Sequence, residues 1–397
     1  MIYSIDRDRT LKISVLYFCF YITVISNLVI FIAQPLQITV LEILASRCYM
    51  VTNLVAFLLA INHSLRNYIP YITKQIITII FIICFSWISY LSSSQGGIYN
   101  YIIRLWCFLA LPFYFLYINY LKVDRRLLNF IFLINFLSSL VYILLSFSKY
   151  SYVGYEQYIG TSNAWLTLGY DNPNQTAMYL VINFIILICA FYYYNKKLIR
   201  IILMMDILYI LVLLIKTSSR TCILIAGIII IVILLKRNYR MSKYTIISIL
   251  LLPAIFIIVY PILYKYNLLY FFSFGGKSDY VSRSDLYQAV LIGVKNQFLF
   301  GNFGHFQLQN LHNGILSIYA SLGIVGVIFF YIYYIRAYLN LIVNGLKSKT
   351  AFIAMIGLLG VFLHSCTEGP FLVGGSMFAG SISILIYLVK LDEKGVE

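Results

Sequence analysis

Charge is what this chain has least of. Only 11% of its 397 residues are Asp, Glu, Lys or Arg, against 62% hydrophobic, where a soluble domain has about 25% charged and about 45–50% apolar residues. Twenty-nine basic and thirteen acidic side chains cannot cover so much apolar surface in water. A large soluble enzyme is excluded, and the excess faces lipid. The abundance of Ile, Leu and Phe also excludes a disordered chain. Cysteine is sparse: the seven, at 19, 48, 84, 107, 189, 222 and 366, lie in or beside apolar runs, and no CxxC occurs. Neither a disulfide framework nor a zinc site is expected. The GxxxxGK[ST] loop is absent, so ATP-driven transport is unsupported. No internal repeat is visible. No small-residue cleavage site follows the first apolar run, which therefore reads as a spanning helix rather than a removed signal peptide.

What is present is a succession of apolar runs. A spanning helix needs about 20 mostly apolar residues. About twelve such segments can be drawn: 12–33, 36–60, 74–92, 100–120, 127–148, 173–194, 198–215, 220–235, 244–264, 313–335, 350–366 and 371–390. The expected fold is an all-α polytopic membrane protein, one integral membrane domain over residues 1–397. The second segment holds Glu42 and Arg47, which leaves open a break or a position lining the bundle interior. With the N-terminus inside, 20 of the 29 basic residues fall on cytoplasmic segments, among them Lys122, Arg125, Arg126, Lys236 and Arg237. That bias predicts an even number of spans with both termini cytoplasmic. The net charge of +16 then reads as topology, with no nucleic-acid partner.

Two outer loops are long, 149–172 and 265–312, and loops above about 12–15 residues are usually functional or disordered. In the second, Ser282-Arg-Ser-Asp285 reads as a capping box. Leu286, Ala289, Val290, Gly293 and Val294 follow at helical spacing. A helix lying against the outer face is expected, ending in the glycine-rich turn Phe300-Gly-Asn-Phe-Gly304.

Ionisable groups at membrane depth are costly and default to functional candidates. On this threading they gather at the outer face: Asp171-Asn172-Pro-Asn174-Gln175 opening span six, Lys216-Thr-Ser-Ser-Arg220 between spans seven and eight, Arg283, His312-Asn313 opening span ten, and His364 and Glu368 between the last two spans. In the first turn of a helix, His312 is disfavoured as imidazolium by the dipole, and a neutral imidazole can take a proton from a hydroxyl. Arg220 and Arg283 offer planar forks for phosphate or carboxylate. Each also has a plainer reading: His312 as a polar interface residue, Arg220 snorkelling to headgroups, Arg283 and Glu368 as solvated loop residues. Asp206 and Glu42 are expected to join buried polar contacts. Gly323 and Gly326 are expected to let their helix pack closely on a neighbour.

Arg283, then Phe300-Gly301-x-x-Gly304, His312-Asn313 and Gly323-x-x-Gly326, resemble the O-antigen ligase/polymerase superfamily in order and spacing. Thr217-Ser-Ser-Arg220-Thr resembles its Ser-Arg element, and Asp171-Asn-Pro-Asn-Gln-Thr-Ala177 the Asn-Pro-Asn element of its polymerases. The resemblance covers roughly residues 160–370, while the first five spans match in hydropathy alone. The segment Gly301 to Gly304 lacks the Gly-x-Gly form many members show. The resemblance implies a GT-C-like, inverting, metal-independent glycosyltransferase without a cofactor, in the bacterial cytoplasmic membrane. It would take polyprenyl-pyrophosphate-linked glycans as donor and acceptor, alongside a flippase and a chain-length regulator. It makes His312 the base on the acceptor hydroxyl and gives the pyrophosphate to Arg220 and Arg283. Asn313, Glu368, Asn172 and Asn174 are supporting candidates. A Wzy-type polymerase of O-antigen, capsule or exopolysaccharide is the first expectation. A ligase of the same superfamily and a transporter or flippase of lipid-linked sugars are the alternatives.

Overall fold

In the computed structural model, the described residues are 2–67, 70–92, 98–148, 152–154, 164–170, 172–235, 297–303, 313–345, 348–365 and 376–391, with isolated Ile247 and Leu251. They form eleven α-helices: α1 (Ile2–Ala33), α2 (Thr39–Asn67), α3 (Pro70–Ser92), α4 (Ile98–Tyr117), α5 (Arg125–Ser146), α6 (Pro173–Tyr193), α7 (Lys197–Lys216), α8 (Arg220–Leu235), α9 (Gly314–Gly345), α10 (Lys349–His364) and α11 (Ser376–Val389). Each coincides with an apolar run of the sequence. The ninth run, 244–264, lies outside the described residues apart from Ile247 and Leu251. Six helices (α1, α2, α5, α6, α7 and α9) are long and apolar enough to cross a membrane, and five shorter apolar helices accompany them. The protein is a mostly helical polytopic membrane protein.

Burial follows hydropathy pattern. α6 is apolar all round, and Thr176 through Ala190 are buried continuously, as a helix at the centre of a bundle must be. It packs against α5, α7, α8, α10 and α11. In α2 and α7, by contrast, Val40, Leu44, Val51, Leu58, Leu198, Met205, Leu208 and Ile215 are exposed. These form one apolar face each, which is where lipid lies in a membrane protein. α2 is continuous: Glu42 sits in its first turn, favoured there by the helix dipole, and Arg47 is on its exposed side. The broken form of the second span is therefore not what the chain adopts.

Between α5 and α6 lies a short antiparallel hairpin, β1 (Tyr152–Gly154) paired with β2 (Ala164–Leu166). It is the one departure from an all-α fold among the described residues. After it, Gly169 takes φ +88° against Pro35, whose carbonyl oxygen would lie 2.5 Å from a Cβ there. Tyr170 donates to Phe31 O (3.1 Å) and Thr176 to Thr167 O (2.6 Å). The hairpin is thereby tied to the outer end of α1 and the start of α6.

On the opposite side, the turn between α4 and α5 is clasped by both ends of the chain's helical run. Tyr17 of α1 and Tyr387 of α11 donate to Lys122 O (2.7 and 3.2 Å). Asp124 caps α5 at Leu127 N (3.1 Å) and donates its own N–H to Tyr387 (2.8 Å). Just beyond α11, the Lys390 amine donates to Ile118 O (2.7 Å), Asn119 O (3.2 Å) and Leu121 O, three carbonyls of the turn that follows α4.

Candidate functional site

α8 packs against α10, and the end of α10 is bonded to the start of α9. α7 and α8 are joined by Lys216-Thr-Ser-Ser-Arg220, a turn that the sequence closes on itself. Thr217 donates its hydroxyl to Leu214 O (2.7 Å) and accepts from Ser219 N (3.3 Å), while Ser218 takes φ +55°. A left-handed serine is uncommon and costs of the order of 1–3 kcal/mol. It leaves Arg220 as the first residue of α8, half-buried, with its Nη2 enclosed by protein.

α8 lies against α10 at a glycine: a Cβ on Gly360 would come within 2.7 Å of Ile225 Cγ2. The helices are antiparallel. Outward from that crossing His364 lies four residues on, about 6 Å, and Arg220 five residues on, about 7.5 Å. The two stand at nearly the same depth. His364 is fully buried in the last turn of α10. The next residue, Ser365, accepts from Gly314 N at 2.6 Å, which fixes the start of α9 at this level. Asn313 caps α9: its Oδ1 accepts from Ile315 N (3.0 Å) and Leu316 N (2.9 Å). Asn313, Ser317 and Ser321 follow at a spacing of four and are all buried, a polar stripe descending one face of α9.

Of the residues the sequence singled out, Arg220 thus begins α8, Asn313 caps α9 and His364 is buried in the last turn of α10. The only sequence signal for His364 is an ionisable group at the end of an apolar run. Asn313 is a helix cap, which is a structural task. Asn172 has the same task on α6, accepting from Asn174 N at 2.8 Å. Those two asparagines stand farther out. From the contact of Gly357 on Ile185, α6 rises about 18 Å to Pro173 while α10 rises about 10 Å to His364. Lys216 belongs to the hairpin, donating to Tyr152 OH (3.5 Å). His312, Arg283, Glu368 and Asp171 lie outside the described residues, as do the helix expected from Ser282 and the glycine Gly304.

The glycine motifs do something other than expected. α9 is not straight: at Gly323 (φ 65°, ψ −169°) it breaks, and the segment 297–303 fills the break. Asn302 N donates to Ala320 O (2.7 Å) and Ile324 N to Phe298 O (3.0 Å). Ser89 of α3 completes the joint, with its Oγ near Ser321 O (3.0 Å) and Gly301 O (3.3 Å) and accepting from Phe303 N (3.1 Å). The sequence suggests that Gly323 and Gly326 let their helix pack closely on a neighbour; the close approaches at these two positions are of another kind. Gly323 accommodates a loop backbone, and Gly326 faces Leu322 of its own helix.

A second set of polar groups is buried in the span interior. Thr23 and Asn27 of α1, Tyr49 and Asn53 of α2 and Tyr114 of α4 are all within 2% of full burial. Tyr114 is turned toward Tyr49, Asn53, Thr23 and Ser383. Asp206 of α7, likewise buried, meets Ser139 of α5, in the kind of contact the sequence predicts for it. No family model, no curated protein and no solved structure matches the chain.

Proposed function

We propose that this protein is a membrane glycosyltransferase. It polymerises polyprenyl-pyrophosphate-linked oligosaccharide repeat units into O-antigen, capsule or exopolysaccharide on the outer face of the bacterial cytoplasmic membrane. On this reading the bundle has twelve spans in a GT-C-like arrangement, both termini cytoplasmic, and the loop 265–312 carries part of the active site. The observation that supports it most is the 2.6 Å bond from Gly314 N to Ser365 O. It ties the start of α9, two residues after His312 in the sequence, to the end of α10.

His312 takes the proton of an acceptor sugar hydroxyl. The freed oxygen attacks the anomeric carbon of the donor with inversion, and the bond to the polyprenyl pyrophosphate breaks. Arg220 and Arg283 hold that pyrophosphate, and they stabilise the charge that develops on its leaving oxygen. The leaving group is already activated, so the reaction needs neither ATP nor a metal. Asn313 supports the base by fixing the helix start behind it. Glu368 is a candidate for orienting the acceptor or an arginine, and Asn172 and Asn174 stand nearer the outer surface. The alanine variant of His312 should insert normally and accumulate single repeat units. Polymer of normal length from it would refute the assignment.

A second reading, a flippase for lipid-linked sugar, is favoured by the broken α9 and by the polar groups buried in α1, α2 and α4, since transporters use discontinuous helices and midplane polar sites. Against it, the break is filled by backbone rather than opened to a cavity. Purified protein given lipid-linked repeat units in detergent distinguishes the two: longer lipid-linked chains require the transferase.

A further inference from the structure

Asp206 sits midway along α7, nine residues from Lys197 and ten from Lys216, with 5% of its surface exposed. Its Oδ2 is 2.5 Å from Ser139 Oγ, and the same Ser139 Oγ is 2.6 Å from Phe136 O. A serine hydroxyl has one proton to give. Both separations are short for O–H···O bonds, so neither is the long arm of a shared one. A carbonyl oxygen cannot donate. If Ser139 gives its proton to Phe136 O, the proton between Ser139 and Asp206 must come from the carboxyl. If Ser139 gives it to Asp206, two bare oxygens face each other at 2.6 Å.

The surroundings agree. Oδ1 of Asp206 makes no hydrogen bond among the described residues. Among the described residues, the charged residues of the helices packed against α7 are Arg125, Arg126 and Arg220, all at helix ends, and the cations of α7 itself are Lys197, Arg200 and Lys216, six or more residues away in the sequence. The other titratable side chains on the helices packed here are Tyr142, Tyr179, Tyr192, Tyr193, Tyr209, Cys189 and Cys222, none of them a counter-charge. A buried carboxylate with one donor and no cation is costly, and such a group takes up a proton instead.

We propose that Asp206 is a proton-binding site at mid-bilayer depth, holding the neutral carboxylic acid that donates to Ser139 and pins α7 to α5. The site is independent of the transferase reading. Its polar surroundings continue in both directions for a turn or more. On one side Asn183 donates to Asn135 O (2.9 Å) and Oδ1 (3.1 Å). Toward the outer face, Ser146 and Tyr209 hydroxyls lie 3.3 Å apart, and Tyr152 donates to Ser146 O (3.1 Å). Beyond Asn135 toward the cytoplasmic end, α5 buries only Phe132, Ile131, Leu128 and Leu127. The polar run therefore reaches the outer surface and stops short of the inner one.

Infrared spectra of the full-length protein, with aspartate carboxyl carbons isotopically labelled, test this. At neutral pH the wild type should show one protonated-carboxyl stretch that shifts with the label, and Asp206→Asn should lose it. The asparagine amide supplies the same donor to Ser139, so this variant should unfold at the wild-type temperature. If it fails to fold, Ser139→Ala serves: the band should move to higher frequency as the carboxyl loses its partner. A wild-type spectrum with carboxylate bands only, or a protonated band unmoved in both variants, would overturn the proposal.

Discussion

The backbone of Gly323 occupies the side-chain space of Gly301, and the two residues before Gly301 occupy that of Gly323. A Cβ on Gly301 would lie 2.5 Å from the Gly323 nitrogen, and one on Gly323 would strike the Leu299 carbonyl and stand 2.6 Å from Phe300 N. Both residues have positive φ, +69° and +65°, which L side chains rarely adopt. Two glycine motifs separated by some twenty residues of sequence are thus one joint. Gly323→Ala should cost about 1–3 kcal/mol from backbone conformation alone, with the collision added, and should lower the midpoint of thermal unfolding in detergent. Gly227 of α8 is the control: a Cβ there meets nothing within 4 Å, and helix-interior Gly→Ala gains about 0.5–1 kcal/mol. Equal effects of the two substitutions would contradict the joint.

Ser89 holds the same joint from α3. Its removal leaves Phe303 N and one or both of the carbonyls of Ser321 and Gly301 short of a partner. Ser89→Ala should therefore destabilise by about 1–3 kcal/mol. Hydrogen exchange should quicken at Phe303 and Ile324 while the amides of α6 keep their protection. Uniform loosening would assign Ser89 a general packing role instead.

Gly360 sets the distance between α10 and α8, and so the placement of Arg220 relative to His364. Gly360→Ala pushes a methyl into Ile225 and should cost about 1–3 kcal/mol, as overpacking does. Adding Ile225→Ala to it should recover part of the stability and, on the transferase reading, part of the polymer yield. The absence of any recovery in the double variant would show that the contact does not control the site.

Arg220→Lys keeps the charge and loses the planar fork. On the transferase reading it should lower polymerisation by about 100-fold, the usual scale for removing one donor to developing charge, with membrane insertion unchanged. Wild-type polymerisation in Arg220→Lys would move the pyrophosphate elsewhere.

Lys390 has a pH signature. Burial lowers its amine to about 8, against about 10.4 in an unfolded chain. Between those values the unfolded state binds more protons than the folded one, so this group's contribution to stability rises with pH across that window and is flat below it. The unfolding temperature of the wild type, relative to Lys390→Met, should therefore climb from pH 8 to 10.4, by at most about 3 kcal/mol in stability. A difference that is constant or falls over that interval would show that the amine is not desolvated.

Hydropathy made the helices legible. α6 begins at Pro173, where Asn172-Pro-Asn announces a cap and an N1 proline, and α7 and α8 meet at the Ser-Arg turn. The break in α9 was not legible, because a single glycine in an apolar run changes neither hydropathy nor period. What makes Gly323 special is a loop twenty residues earlier, and that is a tertiary fact. His364 and Asp206 stood out as ionisable groups in apolar runs, but the partner Ser139 was hidden, because an isolated serine barely lowers the average of an apolar segment. The hairpin β1–β2 was missed because its strands are three residues each. Of the candidate site, Arg220 and Asn313 could be placed in the sequence by position alone, but the cap role of Asn313 depends on where α9 starts.

The clasp on the α4–α5 turn has a bearing on biogenesis. Lys390 reaches back 272 residues to Ile118, and Tyr387 reaches back 265 to Lys122. The turn after α4 is made early in synthesis and α11 late, so the contacts that close that turn cannot form until nearly the whole chain has been made.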